Sequence, residues 1–223
     1  MKQAPPSQRP MPSRRRAGVR ALLPGAAAVI FAVMFGQEVN AEDSESGDGV
    51  IGKPAPGWET ADWMPDRPLR LADLRGRVVL VRWFTSEECP YCSATAPALN
   101  ALHDAYGERG LQVLGFYHHK KEGPLRIEDV RKTVKQYGFT FPVAVDREWK
   151  TLRRWWLDGR DRAWTSVSFL IDSRGIVRFV HPGGKYEKGD AVYLALEWKI
   201  RDLLREIGED GRQPGGASHE EEG

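Results

Sequence analysis

The stretch that decides the fold runs from Val78 to Cys92 and has the sequence VVLVRWFTSEECPYC. Its first half is apolar and β-branched, which predicts a buried strand, and its second half is a short polar turn. The residues that follow are rich in Ala and Leu, with apolar positions three or four residues apart, which predicts a helix. Pro90 suits the first turn of that helix, where its missing N–H costs nothing. The two cysteines therefore lie where a strand meets a helix N-terminus.

This placement predicts dithiol–disulfide chemistry at Cys89 and Cys92. The unpaired N–H groups and the positive end of the dipole at a helix N-terminus stabilise a thiolate. We expect Cys89, nearer those donors, to be the exposed nucleophile, and Cys92, one turn further in, to resolve the mixed disulfide. Half of a zinc site is the competing interpretation, but a structural zinc site needs four ligands and the chain has no second cysteine pair.

The N-terminal residues predict a secretory signal peptide rather than folded protein. Arginines 14–16 and 20 precede an apolar run from Ala21 to Phe35, and Val39-Asn40-Ala41 offers a cleavage site. We therefore expect residues 1–41 to be removed after Ala41, which makes the mature protein periplasmic or otherwise extracytoplasmic. An uncleaved membrane anchor is the weaker alternative, because the apolar run is short for a membrane span.

Charge and cysteine content limit the possible functions of the exported part. Without residues 1–41 the chain has 27 basic and 30 acidic residues, so the formal net charge changes from +2 to −3. That balance gives no basic surface for nucleic acid, and no nucleic-acid partner is expected. The only two cysteines form the C-x-x-C pair, which indicates a redox pair rather than a structural disulfide. No cofactor and no resident metal are expected.

Composition divides the rest of the chain into three parts. Residues 42–49 are acidic and small, which predicts a disordered linker. Residues 50–207 are long enough for one domain with a core, and residues 208–223 form a Gly-, Pro- and Glu-rich tail that we expect to be disordered.

Apolar patterns predict the following elements: a helical turn at 69–76, strands at 78–84, 111–117 and 141–145, helices from 90, at 128–137 and at 148–156, a hairpin of 168–171 with 176–180, and a helix at 190–207. In the last helix we expect these side chains to face inward: Leu194, Trp198, Ile200, Leu203, Leu204 and Ile207.

Four motifs in this order resemble a known family. They are LADLRGRVVLV at 71–81, the C-x-x-C, YGFTFPV at 137–143 and SFLID at 168–172. The chain resembles bacterial exported thioredoxin-like proteins, in particular the TlpA-like, redoxin (AhpC-TSA) group of thiol–disulfide oxidoreductases. The resemblance covers roughly residues 50–207 and implies an α/β thioredoxin fold. A central mixed sheet would carry helices on both faces, with an insertion at about residues 118–150.

The chain departs from the family pattern around the dithiol. Glu88 stands where the family usually has tryptophan before the first cysteine, and Thr95 replaces a glutamate three residues after the second. Ser166 occupies the position of the family's cis-proline, although Thr165 before it is kept. Because a cis bond without proline costs about 3–4 kcal/mol, we expect the Thr165–Ser166 bond to be trans. A trans bond would widen access to the dithiol.

The resemblance also implies which residues meet the substrate. Pro90 and Tyr91, the dipeptide found in glutaredoxins, lie between the cysteines, and Thr165 and Ser166 would lie against them. Glu87 and Glu88 would modulate the thiolate, because nearby negative charge opposes a further anion. The alternative is that both carboxylates point into water, where they are screened.

Two other groups of residues are candidates for the site. His118 and His119 follow the second strand of the predicted βαβ unit, at the edge of the sheet where sites form, and either could approach the dithiol. A polar start to a loop is the competing interpretation. Four tryptophans lie close together in sequence and could line a groove for a partner protein or pack in the core: Trp149, Trp155, Trp156 and Trp164.

Three functions are consistent with these residues. The leading hypothesis is an exported oxidoreductase, favoured by the resemblance as a reductant, that acts on cysteines of extracytoplasmic proteins and receives electrons from a membrane or periplasmic thiol donor. The second is a thiol peroxidase, whose Pro-x-x-x-Thr/Ser-x-x-Cys signature is half present: Ser86 fits, but Arg82 occupies the proline position. The third is a copper- or zinc-binding module that uses both cysteines with His118 or His119.

Overall fold

The computed structural model describes residue 47, residues 49–60 and residues 62–210. The predicted signal peptide lies outside these residues, as do most of the predicted linker and tail. In the linker, Gly47 is buried, and a Cβ on it would lie 2.7 Å from the Cβ of Val180. None of the described helices is long and apolar enough to cross a membrane.

A six-stranded mixed sheet forms the centre of the domain, with the strand order β1-β4-β3-β2-β5-β6. Strand β2 pairs in parallel with β3, and β3 with β4, whereas the β1–β4, β2–β5 and β5–β6 pairs are antiparallel. The strands are β1 (Trp63–Met64), β2 (Val78–Phe84), β3 (Leu111–Tyr117), β4 (Val143–Val145), β5 (Ser168–Ile171) and β6 (Val177–His181). The predicted mixed sheet and its closing hairpin are therefore confirmed.

Three long helices pack on one face of the sheet. They are α1 (Pro90–Tyr106), α2 (Ile127–Gln136) and α3 (Ala191–Asp210). Alternate residues of β2, namely Val78, Leu80 and Phe84, face this side and share its core with the helices. Between them on the same strand lies Arg82, which is also buried. The long helices therefore enclose a charged side chain.

Shorter segments cover the opposite face, where Val79, Val81 and Trp83 point. A 3₁₀ turn at Leu71–Leu74 and residues before it pack there, together with an irregular helical segment. That segment consists of a 3₁₀ turn at Arg147–Trp149, one α-turn at Lys150–Leu152 and a π-turn at Arg153–Leu157. Helical structure thus flanks both faces, as predicted, but the long helices share one face.

The predicted helix at 148–156 forms only in part. Glu148 and Trp149 have φ values of 56° and 60°, in the left-handed region, so the regular turn begins after them. The carboxylate of buried Asp146 accepts hydrogen bonds from the N–H groups of Thr151 and Leu152 at 2.9 and 2.7 Å. Asp146 therefore caps the turn later than the sequence pattern predicts.

The inward face predicted for α3 is partly wrong. Leu194 and Trp198 are 54% and 61% exposed, whereas Ile200 and Leu203 are buried as predicted. Leu204 and Ile207 are partly buried against the core. The buried stripe also contains Tyr193 and Leu196, which the prediction missed. Apolar residues occur on two sides of this helix, so periodicity alone could not fix which side meets the sheet.

The two edges of the sheet differ in how they end. Strand β1 has only two residues, and its register pairs Trp63 with Ala144 and Met64 with Val143. At the other edge, the segment before β1 covers the start of β6: the N–H of Gly52 donates to the carbonyl of Val177, and the N–H of Val177 donates to the carbonyl of Lys53. Neither edge therefore offers a long unpaired ladder.

Candidate active site

The two cysteines form a preorganised pair at the start of α1. Cys89 is the N-cap residue and Pro90 the first helical residue, as predicted. The backbone N–H of Cys92 donates to the Cys89 Sγ at 3.3 Å, and the Cys92 thiol donates to the same sulfur at 2.6 Å. Both are free cysteines; Cys89 is half-buried and Cys92 is buried. One sulfur thus faces outward while the other lies directly behind it.

Burial decides the protonation state of Cys92. Burial, followed by the hydrogen bond to Cys89, raises the pKa of Cys92 to about 12. A backbone hydrogen bond from Thr85 and the charge of Arg82 act in the opposite direction but are smaller effects. Cys92 therefore stays protonated at neutral pH and donates to Cys89, which is the arrangement expected of a resolving thiol and a nucleophile.

The turn before Cys89 holds the two predicted modulators, Glu87 and Glu88. Glu87 accepts a hydrogen bond from the Thr133 hydroxyl at 2.8 Å, and its own backbone N–H and Thr133 hold its pKa below the ordinary value. Lys121 lies 3.4 Å from the Glu87 carboxylate and 3.0 Å from that of Glu88. Sequence reasoning missed Lys121, which offsets part of the negative charge that these residues bring to the dithiol.

Thr165 and Ser166 lie in the loop that leads into β5, and both are buried. Met64–Pro65 is the only cis peptide bond among the described residues, so the Thr165–Ser166 bond is trans, as predicted. The Ser166 hydroxyl bonds with Gly184, accepting from its N–H at 3.2 Å. The loop is therefore fixed by side-chain hydrogen bonds where the family pattern has a proline ring.

His118 is the residue that holds Thr165. It is 1% exposed, and its Nε2 forms a 2.9 Å hydrogen bond with the Thr165 Oγ1, while its ring packs edge-on against Trp149. Burial, with a smaller effect of Lys120, lowers the pKa of His118 to about 3, so the imidazole is neutral. Of the two candidate histidines, His118 thus supports the predicted substrate loop, and His119 bonds instead with Tyr117 and the Gly123 carbonyl.

The tryptophan cluster divides between core and surface. Trp155 and Trp156 are buried in the core of the second face, and Trp149 is half-buried. Trp164 is 39% exposed and meets the ring of Tyr91, which is 40% exposed, edge-on at 5.2 Å. Of the four tryptophans, Trp164 is thus the one that could line a groove for a partner protein. The Tyr91–Trp164 ring pair puts an apolar surface next to the dithiol.

Arg82 is a second residue that sequence reasoning did not place in the site. The signal was available, because it is the one charge inside the apolar run VVLVRWF. Its guanidinium donates to the Ser168 hydroxyl at 3.2 Å and to the Gly184 carbonyl at 2.7 Å. Gly184 also bonds with Ser166, so Arg82 is linked through Gly184 to the loop that holds Thr165 and Ser166.

The described residues do not fit a metal centre. No group of three His, Cys, Asp or Glu side chains comes close enough to hold an ion in the described part of the chain. His118 and His119, the ligands that the metal hypothesis needs, are engaged with Thr165 and with Tyr117 and Gly123.

Comparison with known proteins finds similarity to a named thiol-disulfide oxidoreductase. Protein DipZ of Mycobacterium bovis is 30% identical over 141 residues, which are 63% of this chain but 19% of DipZ. The thiol-disulfide oxidoreductase ResA of Bacillus cereus is 31% identical over 127 residues, 57% of this chain and 66% of ResA. The matched residues thus span 19% of the length of DipZ and 66% of the length of ResA, which is just under two thirds.

Solved structures share the fold over about two thirds of the chain. A thiol-disulfide isomerase from Corynebacterium glutamicum superposes with a TM-score of 0.53 at 28% identity, covering 67% of this chain and 96% of that one. The thioredoxin-like superfamily protein SPOA0173 gives a TM-score of 0.55 at 28% identity, covering 68% and 96%. The predicted thioredoxin fold is confirmed. Residues 51–180 match the model of the AhpC/TSA family.

Proposed function

The chain belongs to the AhpC/TSA family, and on that premise we propose that it is a thiol–disulfide oxidoreductase acting through Cys89 and Cys92. The observation that carries the proposal is the geometry of the pair. A half-buried sulfur at the helix N-cap receives both an N–H and an S–H from Cys92, and the second sulfur is 2.6 Å away. One cysteine is thereby prepared to attack and the other to resolve.

The exchange follows from these two positions. The Cys89 thiolate attacks one sulfur of a substrate disulfide, forms a mixed disulfide with it and releases the other sulfur as a thiolate. The Cys92 thiol then gives its proton to a departing thiolate and attacks the Cys89 Sγ, which releases the second substrate sulfur. Two electrons pass to the substrate, and Cys89 and Cys92 become a disulfide that an external thiol donor reduces again.

We place the substrate on the surface next to Cys89. Pro90 and Tyr91 lie between the cysteines, and Thr165 and Ser166 form the fixed loop at the start of β5. The exposed Tyr91–Trp164 ring pair supports a partner with apolar side chains beside its cysteine, because exposed aromatic rings give large contact area at low entropy cost. A cysteine-containing protein fits this open surface.

The proposed partners are extracytoplasmic proteins, with a membrane or periplasmic thiol as the electron donor. The predicted signal peptide at residues 1–41 supports export, and similarity to the thiol-disulfide oxidoreductase ResA supports the thiol chemistry. We propose the direction of a reductant, which rests on the resemblance to the TlpA-like group.

The test is to trap the partner. Cys92→Ser removes the resolving thiol, so mixed disulfides should accumulate at Cys89 when the purified variant meets a protein disulfide. Cys89→Ser is the matched control and should trap none. Mapping by mass spectrometry identifies the linked residue, and parallel incubations of native protein with hydrogen peroxide and with copper(I) measure the two rival activities. Rapid thiol loss to peroxide without disulfide exchange would replace the proposal with a peroxidase.

A further inference from the structure

Arg82 is a buried cation with neutral hydrogen-bond partners. It is 1% exposed, and its guanidinium contacts the Ser168 hydroxyl, the Gly184 carbonyl and, at 3.4 Å, the Nδ1 of His181. Its Nε has no hydrogen-bond partner among the residues that the structure describes. None of the ion pairs in those residues includes Arg82. Its charge is therefore solvated by dipoles alone.

Such a burial is costly unless an anion is present for part of the time. A buried charge without a partner loses several kcal/mol of hydration. Arginine stays protonated in proteins, so the fold cannot avoid the cost by neutralising Arg82, although burial lowers its pKa. An anion that forms nearby during the reaction would recover part of the cost.

The groups around Arg82 leave the dithiol as the source of that anion. The Tyr186 ring lies 5.3 Å from the guanidinium, but burial raises the pKa of this tyrosine, which keeps it neutral. Burial and the charge of Arg82 lower the pKa of His181 to about 4, so this side chain is neutral as well. The exposed Asp190 accepts a hydrogen bond from the N–H of Tyr193 and so caps the start of α3. Its negative charge acts to raise the pKa of His181 and of Tyr186.

The cysteines, in contrast, interact electrostatically with Arg82. A negative charge on either cysteine favours the charged guanidinium. Tyr186 has the largest such effect, followed by Cys92 and then Cys89. The packing explains this closeness, because the N–H of Tyr186 donates to the hydroxyl of Thr95, one turn after Cys92, at 3.2 Å. Arg82 and its covering ring therefore lie under the first turns of the cysteine helix.

We propose that Arg82 is the counter-cation of the reduced dithiol, a positioning residue that raises the reduction potential of the Cys89–Cys92 pair. The inference rests on the proposed function. In the disulfide form the pair is neutral and Arg82 has no anion. The form of the reduced pair that attacks disulfides is reached by two electrons and one proton and consists of the Cys89 thiolate and the Cys92 thiol, and its negative charge compensates the cation. Because the reduced form gains this stabilisation, the protein is a milder reductant than it would be without Arg82.

Two substitutions at the same position separate charge from packing. Arg82→Met has a similar length and no charge, and replacing a buried charge by an apolar side chain is often tolerated. Arg82→Lys keeps a cation. In equilibrium with glutathione, we expect Arg82→Met to favour the disulfide at least tenfold more than the native protein does, which is about 30 mV for two electrons. Arg82→Lys should keep most of the native value, and Ser168→Ala, which removes one neutral hydrogen bond, should stay within about threefold of it by the same measure.

Proton uptake gives an independent readout on the native protein. At the same pH, reduction of the native protein should take up fewer protons per disulfide than reduction of Arg82→Met, because the cation favours the thiolate form. A folded Arg82→Met variant with the native equilibrium constant would overturn the proposal, as would equal shifts in the Met and Lys variants. Should Arg82→Met not fold, the same comparison is made with the uncharged Arg82→Gln, and equal proton uptake by this variant and the native protein would overturn the proposal. Failure of the proposed function would appear separately, as native protein that does not exchange with protein disulfides.

Discussion

Acid should destabilise this protein through His118, and His118→Phe should remove that effect. The imidazole is buried beside Thr165, and burial lowers its pKa from 6.5 to about 3. In the unfolded chain it takes up a proton as the pH falls below 6.5, whereas in the folded chain it stays neutral until the pH nears 3. The stability linked to His118 is thus fully present above pH 6.5 and is lost as the pH falls between these two values.

The expected loss follows from the width of that interval. Each pH unit within it costs about 1.4 kcal/mol for one proton, so lowering the pH from 7 to 5 should cost about 2 kcal/mol through His118 alone. Other groups, including His181 with its pKa of about 4, add to the total in native protein and variant alike. The difference between the two proteins therefore isolates His118.

Urea unfolding at pH 7 and pH 5, with the redox state held fixed, measures this difference. Phenylalanine keeps an aromatic ring against Trp149 and cannot titrate, so His118→Phe should lose about 2 kcal/mol less than the native protein between the two pH values. Thr165→Val is the matched control: it breaks the 2.9 Å hydrogen bond but keeps the imidazole, and its pH-dependent loss should persist. Equal losses in native protein and His118→Phe would refute the reasoning.

Three further predictions concern the dithiol and its loop. In the reduced protein Cys89 should be alkylated by iodoacetamide at least tenfold faster than Cys92, because burial raises the pKa of Cys92 to about 12; equal rates on mass mapping would remove the nucleophile assignment. Lys121→Met should slow attack of Cys89 on an anionic aromatic disulfide a few-fold, because Glu87 and Glu88 lose their shared cation. If the variant and the native protein react at the same rate and neither rate depends on salt, these charges do not act on the sulfur. Ser166→Pro should destabilise the protein by about 1–2 kcal/mol in urea, since the Gly184 N–H loses its acceptor; unchanged stability would mean that the loop does not need this hydrogen bond.

Local patterns were sufficient for the elements that carry the cysteines. The β-branched run ending at Phe84 and the proline after Cys89 each have a local physical reason, and the strand and helix begin and end close to where those signals lie. The burial of Cys92 behind Cys89 also follows from helix geometry, because three residues make nearly one turn.

The long-range contacts of the residues around the dithiol could not be predicted in this way. Lys121 reaches Glu87 across 34 residues of sequence, His118 reaches Thr165 across 47, and Arg82 reaches Gly184 across 102. Such pairs depend on which loops the sheet order brings to one edge, and periodicity contains no information on that order. The same limit explains Leu194 and Trp198, whose apolar character predicts burial although the helix turns them outward.

The way in which the sheet ends has a consequence for how the protein behaves at high concentration. Long, flat edge strands are templates on which other chains add and aggregate. Here one edge is the two-residue strand Trp63–Met64, and the other is blocked at Val177 by the backbone of Gly52 and Lys53. Strand addition between copies of the chain is thereby disfavoured.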